Sequence, residues 1–186
     1  MGKNGNSKTF ELALSGISCA VAAGALALGI LSDYLVATGY LIGVTALMVP
    51  LSKQFFKGGF LAYLGTLILA VVLGAAVQFW KIVPFAMFFG LHPLANALQT
   101  RYKVNRWLAL FIKMIWFDCT LIAAYHLVYG GLLGGTLFPE DVYKVINDYI
   151  YLFIFTVGSV ICFIYDYLIF KLQIGINFTV QRIIKK

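Results

Sequence analysis

The sequence predicts an all-α membrane bundle of about six spanning helices, with both termini on the cytoplasmic side. Three observations predict it. The 186-residue chain is 62% hydrophobic and only 11% charged, with a mean hydropathy of +0.92, which is too apolar for an ordinary water-facing surface. Its apolar residues gather into six runs, each close to the roughly 20 residues that a helix needs to cross a hydrocarbon core of about 30 Å. Within the runs there is no sustained period-two alternation of the kind a membrane barrel requires.

The runs are Thr9–Leu31, Tyr34–Leu51, Gly58–Phe79, Ile82–Gln99, Trp107–Tyr129 and Tyr149–Lys171. The first lacks a convincing small-residue cleavage site and reads as a retained span. Ser32-Asp33 ends it. The second stops at Ser52–Lys57 with its two lysines, the third at Trp80-Lys81, and the fourth at the basic stretch Arg101–Arg106. A Gly-rich segment, Gly130–Asp148, follows the fifth. After the sixth comes a basic tail over 172–186, read either as an amphipathic helix at the interface or as a solvated end. All of 1–186 is expected to form a single integral membrane domain.

Charge sets the orientation. With the N-terminus inside, the inner loops and ends hold Lys3, Lys8, Lys53, Lys57, Arg101, Lys103, Arg106, Lys171, Arg182, Lys185 and Lys186; the outer loops hold Lys81 and Lys144. That asymmetry follows the positive-inside rule for an even number of spans. The +7 net charge therefore reads as topology plus attraction to anionic lipid, and not as a nucleic-acid surface.

Polar groups within the runs are the candidate functional residues. "FFGLHPLANALQ", Phe88–Gln99, places His92 about 15 Å from the outer end of its span at about 1.5 Å per residue, with Asn96 one turn further on the same side. Pro93 is expected to kink this helix and free the Phe89 carbonyl. On the fifth span Asp118 lies about 18 Å in, at the depth of His92, so the two are expected to pair directly or through water, with Lys113 competing for Asp118 or snorkelling inward. Tyr125 and His126 stand near the outer end. Glu11 and Asp166 are expected to meet the cytoplasmic lysines as anchors. A solute-binding role predicts a polar cavity beside these groups; a purely structural role predicts polar groups buried in helix contacts. In the loop "GGLLGGTLFPEDVYKVINDY", Pro139, Glu140 and Asp141 look like the first turn of a helix, either a lid over an outer pocket or a surface helix.

Catalysis is not expected: the chain has no HExxH, no GxSxG and no clustered metal ligands, and no cofactor or metal is implied. Cys19, Cys119 and Cys162 lie within spans without CxxC spacing and read as packing residues. There is no phosphate-binding G-x-x-x-x-G-K-[ST] loop, so an energy-driven role needs an ATPase on another chain.

In "LALSGISCAVAAGALALG", Gly16, Ala20 and Gly24 recur every four residues, with Ala13, Ala23 and Ala27 nearby. Small residues at that spacing let a second helix approach closely in lipid. The partner is either another span of this chain or a different protein. Gly39 and Gly43 repeat the pattern more weakly in the second span.

A headless chain of about six spans with cytoplasmic ends and this Ala/Gly-rich first span resembles the substrate-binding S components of energy-coupling factor transporters, and also small Gram-positive membrane proteins of similar architecture. The resemblance implies that Gly16, Ala20 and Gly24 contact a transmembrane coupling subunit, that partner ATPases supply energy, and that a vitamin-like micronutrient binds toward the outer side. His92, Asn96, Asp118, Tyr125 and His126, with the loop near Phe138, are then the expected pocket residues. The alternative is an accessory or scaffolding protein that docks a larger complex through its first span and binds no solute.

Overall fold

The computed structural model describes residues 3–32, 34–127 and 148–184. The described residues are mostly helical, with no strand among them. Six α-helices follow in order: α1 (Lys3–Leu31), α2 (Val36–Leu51), α3 (Phe56–Val72), α4 (His92–Tyr102), α5 (Arg106–Tyr125) and α6 (Ser159–Ile184). The proposed lid residues Pro139, Glu140 and Asp141, and Phe138 with them, lie outside the described residues. Among the described residues four helical segments are long and apolar enough to cross a membrane: Lys8–Leu31, Gln78–Tyr102, Arg106–Tyr125 and Asp148–Arg182. The helices Val36–Leu51 and Phe56–Val72 are shorter. Large apolar side chains such as Leu12, Ile68, Phe111 and Phe155 point outward, a surface that suits lipid and is unfavourable in water.

Three boundaries differ from those read in the sequence. The third helix stops at Val72 and not at Phe79, because Gly74 takes a left-handed φ of 104° that only glycine adopts at little cost, a common way to end a helix. Ala75–Lys81 then forms a 3₁₀ turn. In the fourth span the helix is interrupted just before Pro93, where a kink is expected, and the interruption is a full break. A wide π turn, Phe85–Phe89, and a break at Gly90-Leu91 precede a fresh start at His92, so the proline occupies the first turn of α4, where no amide bond is lost. Finally, α6 runs through Lys171 to Ile184; the segment Asp148–Arg182 has 35 residues, roughly 50 Å at 1.5 Å per residue. The supposed tail is its continuation.

The chain divides into two compact units, Met1–Lys103 with Ile169–Lys186, and Val104–Leu168. In the first, α1 packs on α2 and α3 around Leu26, Ile30, Leu47, Met48, Phe85 and Phe88. A Cβ on Gly39 would fall 2.6 Å from the Ala25 carbonyl oxygen and 2.8 Å from Gly29 Cα. Only glycine allows that approach of two backbones. Irregular backbone in this unit is satisfied by tyrosines: Tyr63 donates to the Ala86 carbonyl in the π turn at 2.6 Å, and Tyr40 donates to the Lys81 carbonyl. Buried carbonyls released from helical bonding need such donors. Lys81 donates to the Ile30 carbonyl at the end of α1 at 3.4 Å. Glu11, expected to meet lysines, accepts from the Gly58 amide at 3.2 Å.

The second unit is an antiparallel helix pair, α5 against the helical stretch 148–168, in which the π turn Ile154–Gly158 leads into the start of α6. Asn105 caps α5 by accepting from the Trp107 amide at 2.9 Å, leaving a short link after Lys103, whose left-handed φ of 53° ends α4.

Candidate functional site

Four side-chain contacts mark the seam between the two helices of the second unit. From one end to the other, the Arg106 guanidinium stands 6.0 Å from the Tyr167 ring, Lys113 Nζ is 2.8 Å from Asp166 Oδ1, Ser159 donates to Asp118 Oδ2 at 3.3 Å, and His126 Nε2 is 3.1 Å from the Tyr151 hydroxyl. The opposite running order of the two sets of partners is the signature of an antiparallel pair.

Lys113 does not snorkel, and Asp166 is no surface anchor. Their side chains are 5% and 6% exposed and form a direct ion pair. A charge withdrawn from water is costly unless a partner compensates it, and here each is the other's compensation. The Cys162 thiol points to the Lys113 carbonyl at 3.9 Å, so this cysteine packs at the same level.

Asp118 is placed differently. It is 5% exposed; Oδ2 accepts from Ser159, while Oδ1 is buried and finds no hydrogen-bond donor among the described residues. Oδ1 lies 3.4 Å from where a Cβ on Gly158 would be. Gly158 closes the π turn and lines a cavity of about 420 Å³, with Phe117, Leu121, Tyr125, Phe153 and Ile154 among its walls. The walls are apolar, not the polar lining expected of a solute pocket. Asp118 is not itself in the wall; its unsatisfied oxygen lies behind Gly158.

The expected pocket residues are thus split. Asp118, Tyr125 and His126 share the second unit: Tyr125 is in the cavity wall, and His126 is exposed, its ring 5.5 Å from that of Tyr125. His92 and Asn96 belong to the first unit, fully buried, with Asn96 Nδ2 3.4 Å from His92 Nδ1 and the imidazole 5.1 Å from the Phe88 ring. Within its own unit each member of the expected His92–Asp118 pair has another partner, Asn96 in one case and Ser159 in the other, and the competing Lys113 is engaged by Asp166.

On α1 the Gly16, Ala20 and Gly24 side turns away from α2 and α3. Gly16 and Ala20 are exposed, and a Cβ added at Gly16 or Gly24 would meet nothing within 4 Å among the described residues. The intrachain approach uses Gly29 and Gly39 instead.

Sequence reasoning missed Asp166 as the partner of Lys113, although a signal existed: Lys113 is seven residues into its span from the basic end and Asp166 five residues from Lys171, about 10 and 8 Å deep at 1.5 Å per residue. Ser159 and Gly158 carried no such signal. Among the described residues no group of histidine, cysteine and acidic side chains could hold a metal ion. Set against known protein families, curated proteins and solved structures, the chain matches none of them.

Proposed function

We propose that the protein is a multi-pass subunit of the cell membrane that binds a small, vitamin-like solute for uptake and is energised by partner chains, a transmembrane coupling subunit and ATPases. The observation that carries this reading is Asp118, a buried carboxylate with one oxygen lacking a donor among the described residues, set behind Gly158 at the wall of a cavity of about 420 Å³. Acids inside a membrane are costly and mark ligand or ion sites; a solute with an apolar body and one amine or N–H group would satisfy this oxygen. The outward Gly16–Ala20–Gly24 face of α1 supports the coupling contact, since close helix packing in lipid uses such faces. On this reading the end bearing Lys53, Lys57 and Arg101 faces the cytoplasm.

The apolar walls of the cavity favour a second reading, a scaffold that docks a larger complex through α1 and carries no solute. Gentle purification from native membrane followed by mass spectrometry of every co-purifying protein and small molecule separates the two. An ATPase pair with a membrane coupling subunit supports transport. Recovery with an unrelated complex and no small molecule supports the scaffold. The variant Asp118→Asn is expected to weaken binding of the recovered solute by tenfold or more, about 1.4 kcal/mol, with thermal stability near the parent's. Equal uptake by variant and parent removes Asp118 from transport.

A further inference from the structure

A second cavity, of about 570 Å³, lies in the first unit, between the α2–α3 turn, the last turns of α4 and residues 170–181 of α6. Its size is within the range of small-molecule sites. On α6, Gln173, Asn177 and Gln181 line it at intervals of four residues, so three amides share one helix face. Gln173 is 6% exposed. Its Nε2 donates to the Pro93 carbonyl at 3.4 Å, which fixes the amide's orientation and leaves Oε1 over. That oxygen is buried without a donor among the described residues, and Asn177 Oδ1 is in the same condition. Unsatisfied buried acceptors are rare enough in folded proteins that two in one cavity wall call for an occupant that donates.

From α4 come Thr100 and Arg101. The Thr100 hydroxyl spends its proton on the Asn96 carbonyl at 3.0 Å, so it too is left as an acceptor. The Arg101 guanidinium rests 4.8 Å from the centre of the Phe56 ring, which also lines the cavity. No acid is among the lining residues, so this cation has no carboxylate opposing it there. The wall therefore offers one planar cationic fork, matched to an oxyanion, and several oxygens matched to N–H or O–H donors.

We infer that this cavity binds a phosphate ester carrying a hydroxyl or amino donor, the chemistry shared by a phospholipid headgroup and a soluble phosphorylated metabolite. The inference does not rest on the transport reading. The test uses the full chain in an uncharged detergent, titrated with phosphatidylglycerol in mixed micelles, with glycerol 3-phosphate, and with phosphatidylcholine, whose headgroup has a phosphate but no donor. Binding is followed by native mass spectrometry and by the shift in Tm. Saturable binding is expected of phosphatidylglycerol or of glycerol 3-phosphate, and whichever binds names the source. Phosphatidylcholine, and either probe on Arg101→Gln or Asn177→Ala, is expected to bind at least about tenfold more weakly. Arg101 is exposed, so its variant folds, and Arg101→Lys is expected to fall between Gln and the parent because it keeps charge without the fork. The inference is overturned if neither donor-bearing phosphate binds, if phosphatidylcholine binds equally, or if both variants bind as the parent does.

Discussion

The two units hold their helices together by opposite means. In Val104–Leu168, α5 and the sixth helix are joined by charge: Lys113 to Asp166, with Asp118 hydrogen-bonded to Ser159. In the other unit the closest approach, between α1 and α2, is made by removing side chains at Gly29 and Gly39, and the buried polar groups are hydroxyls, amides and an imidazole, among them Thr66, His92, Asn96 and Gln173. Lipid provides no hydrophobic drive between helices, so association relies on packing and polar contact. Packing tolerates small errors by adjusting; a buried ion pair does so less well, because a charge withdrawn from water is costly when a partner is lost. The units should therefore fail differently when altered.

The largest effect is expected from splitting the ion pair. Asp166→Ala or Lys113→Met alone removes one partner of a buried ion pair and should cost roughly 3–5 kcal/mol, measured by unfolding of the purified chain in detergent. The double variant Lys113→Met with Asp166→Leu should recover most of that loss. A single variant as stable as the parent would erase the contrast between the units. Next is Gly39→Leu, whose side chain would start against the backbone of Ala25 and Gly29; about 1–3 kcal/mol or more is expected, confined to the first unit in a hydrogen-exchange map. Asp118→Asn comes third. An amide oxygen still accepts from Ser159 and the unmatched charge is gone, so stability should stay within about 1 kcal/mol of the parent. A loss as large as that of Asp166→Ala would mean that Asp118 is a strut. The smallest effect is that of Gly16→Leu, on the open side of α1. The isolated chain should unfold within about 0.5 kcal/mol of the parent, while any partner helix that uses this face should be lost from the purification. Retention of every partner would show that the face is only lipid-exposed.

Much of this fold was legible in the sequence, because the apolar runs that a helix needs to cross lipid are long and the basic residues punctuate them. Hydropathy is blind to backbone angle, however. The run through Gly74 and the run through Gly90-Leu91 stay apolar while the helix breaks, and the breaks follow from a left-handed glycine and from the clash between the Pro93 ring and the preceding turn. Charge misled at Lys171, where a basic residue was read as an end although nothing there stops a helix. The candidate site was half legible. Polar residues in the spans can be named and their depths reckoned, and equal depth joins Lys113 to Asp166; depth alone does not give azimuth, so the contact of Ser159 with Asp118 stays hidden. Small-residue spacing likewise marked α1 as a contact helix without showing that it has two such sides, one taken by Gly39 and the other open.

The π turn at Phe85–Phe89 sets a phase. A wide turn holds one residue more than the α-helical turn it replaces, and the Gly90 amide bonds back to the Phe85 carbonyl five residues earlier. Wound as an ordinary α-helix with no residue removed, the same stretch would carry everything after it about 100° further round and about 1.5 Å further along. His92 and Asn96 would then leave the interior and a neighbouring apolar pair would take their bearing. The wide turn is thus what sets the bearing of the helix after it, so that its imidazole and amide look inward.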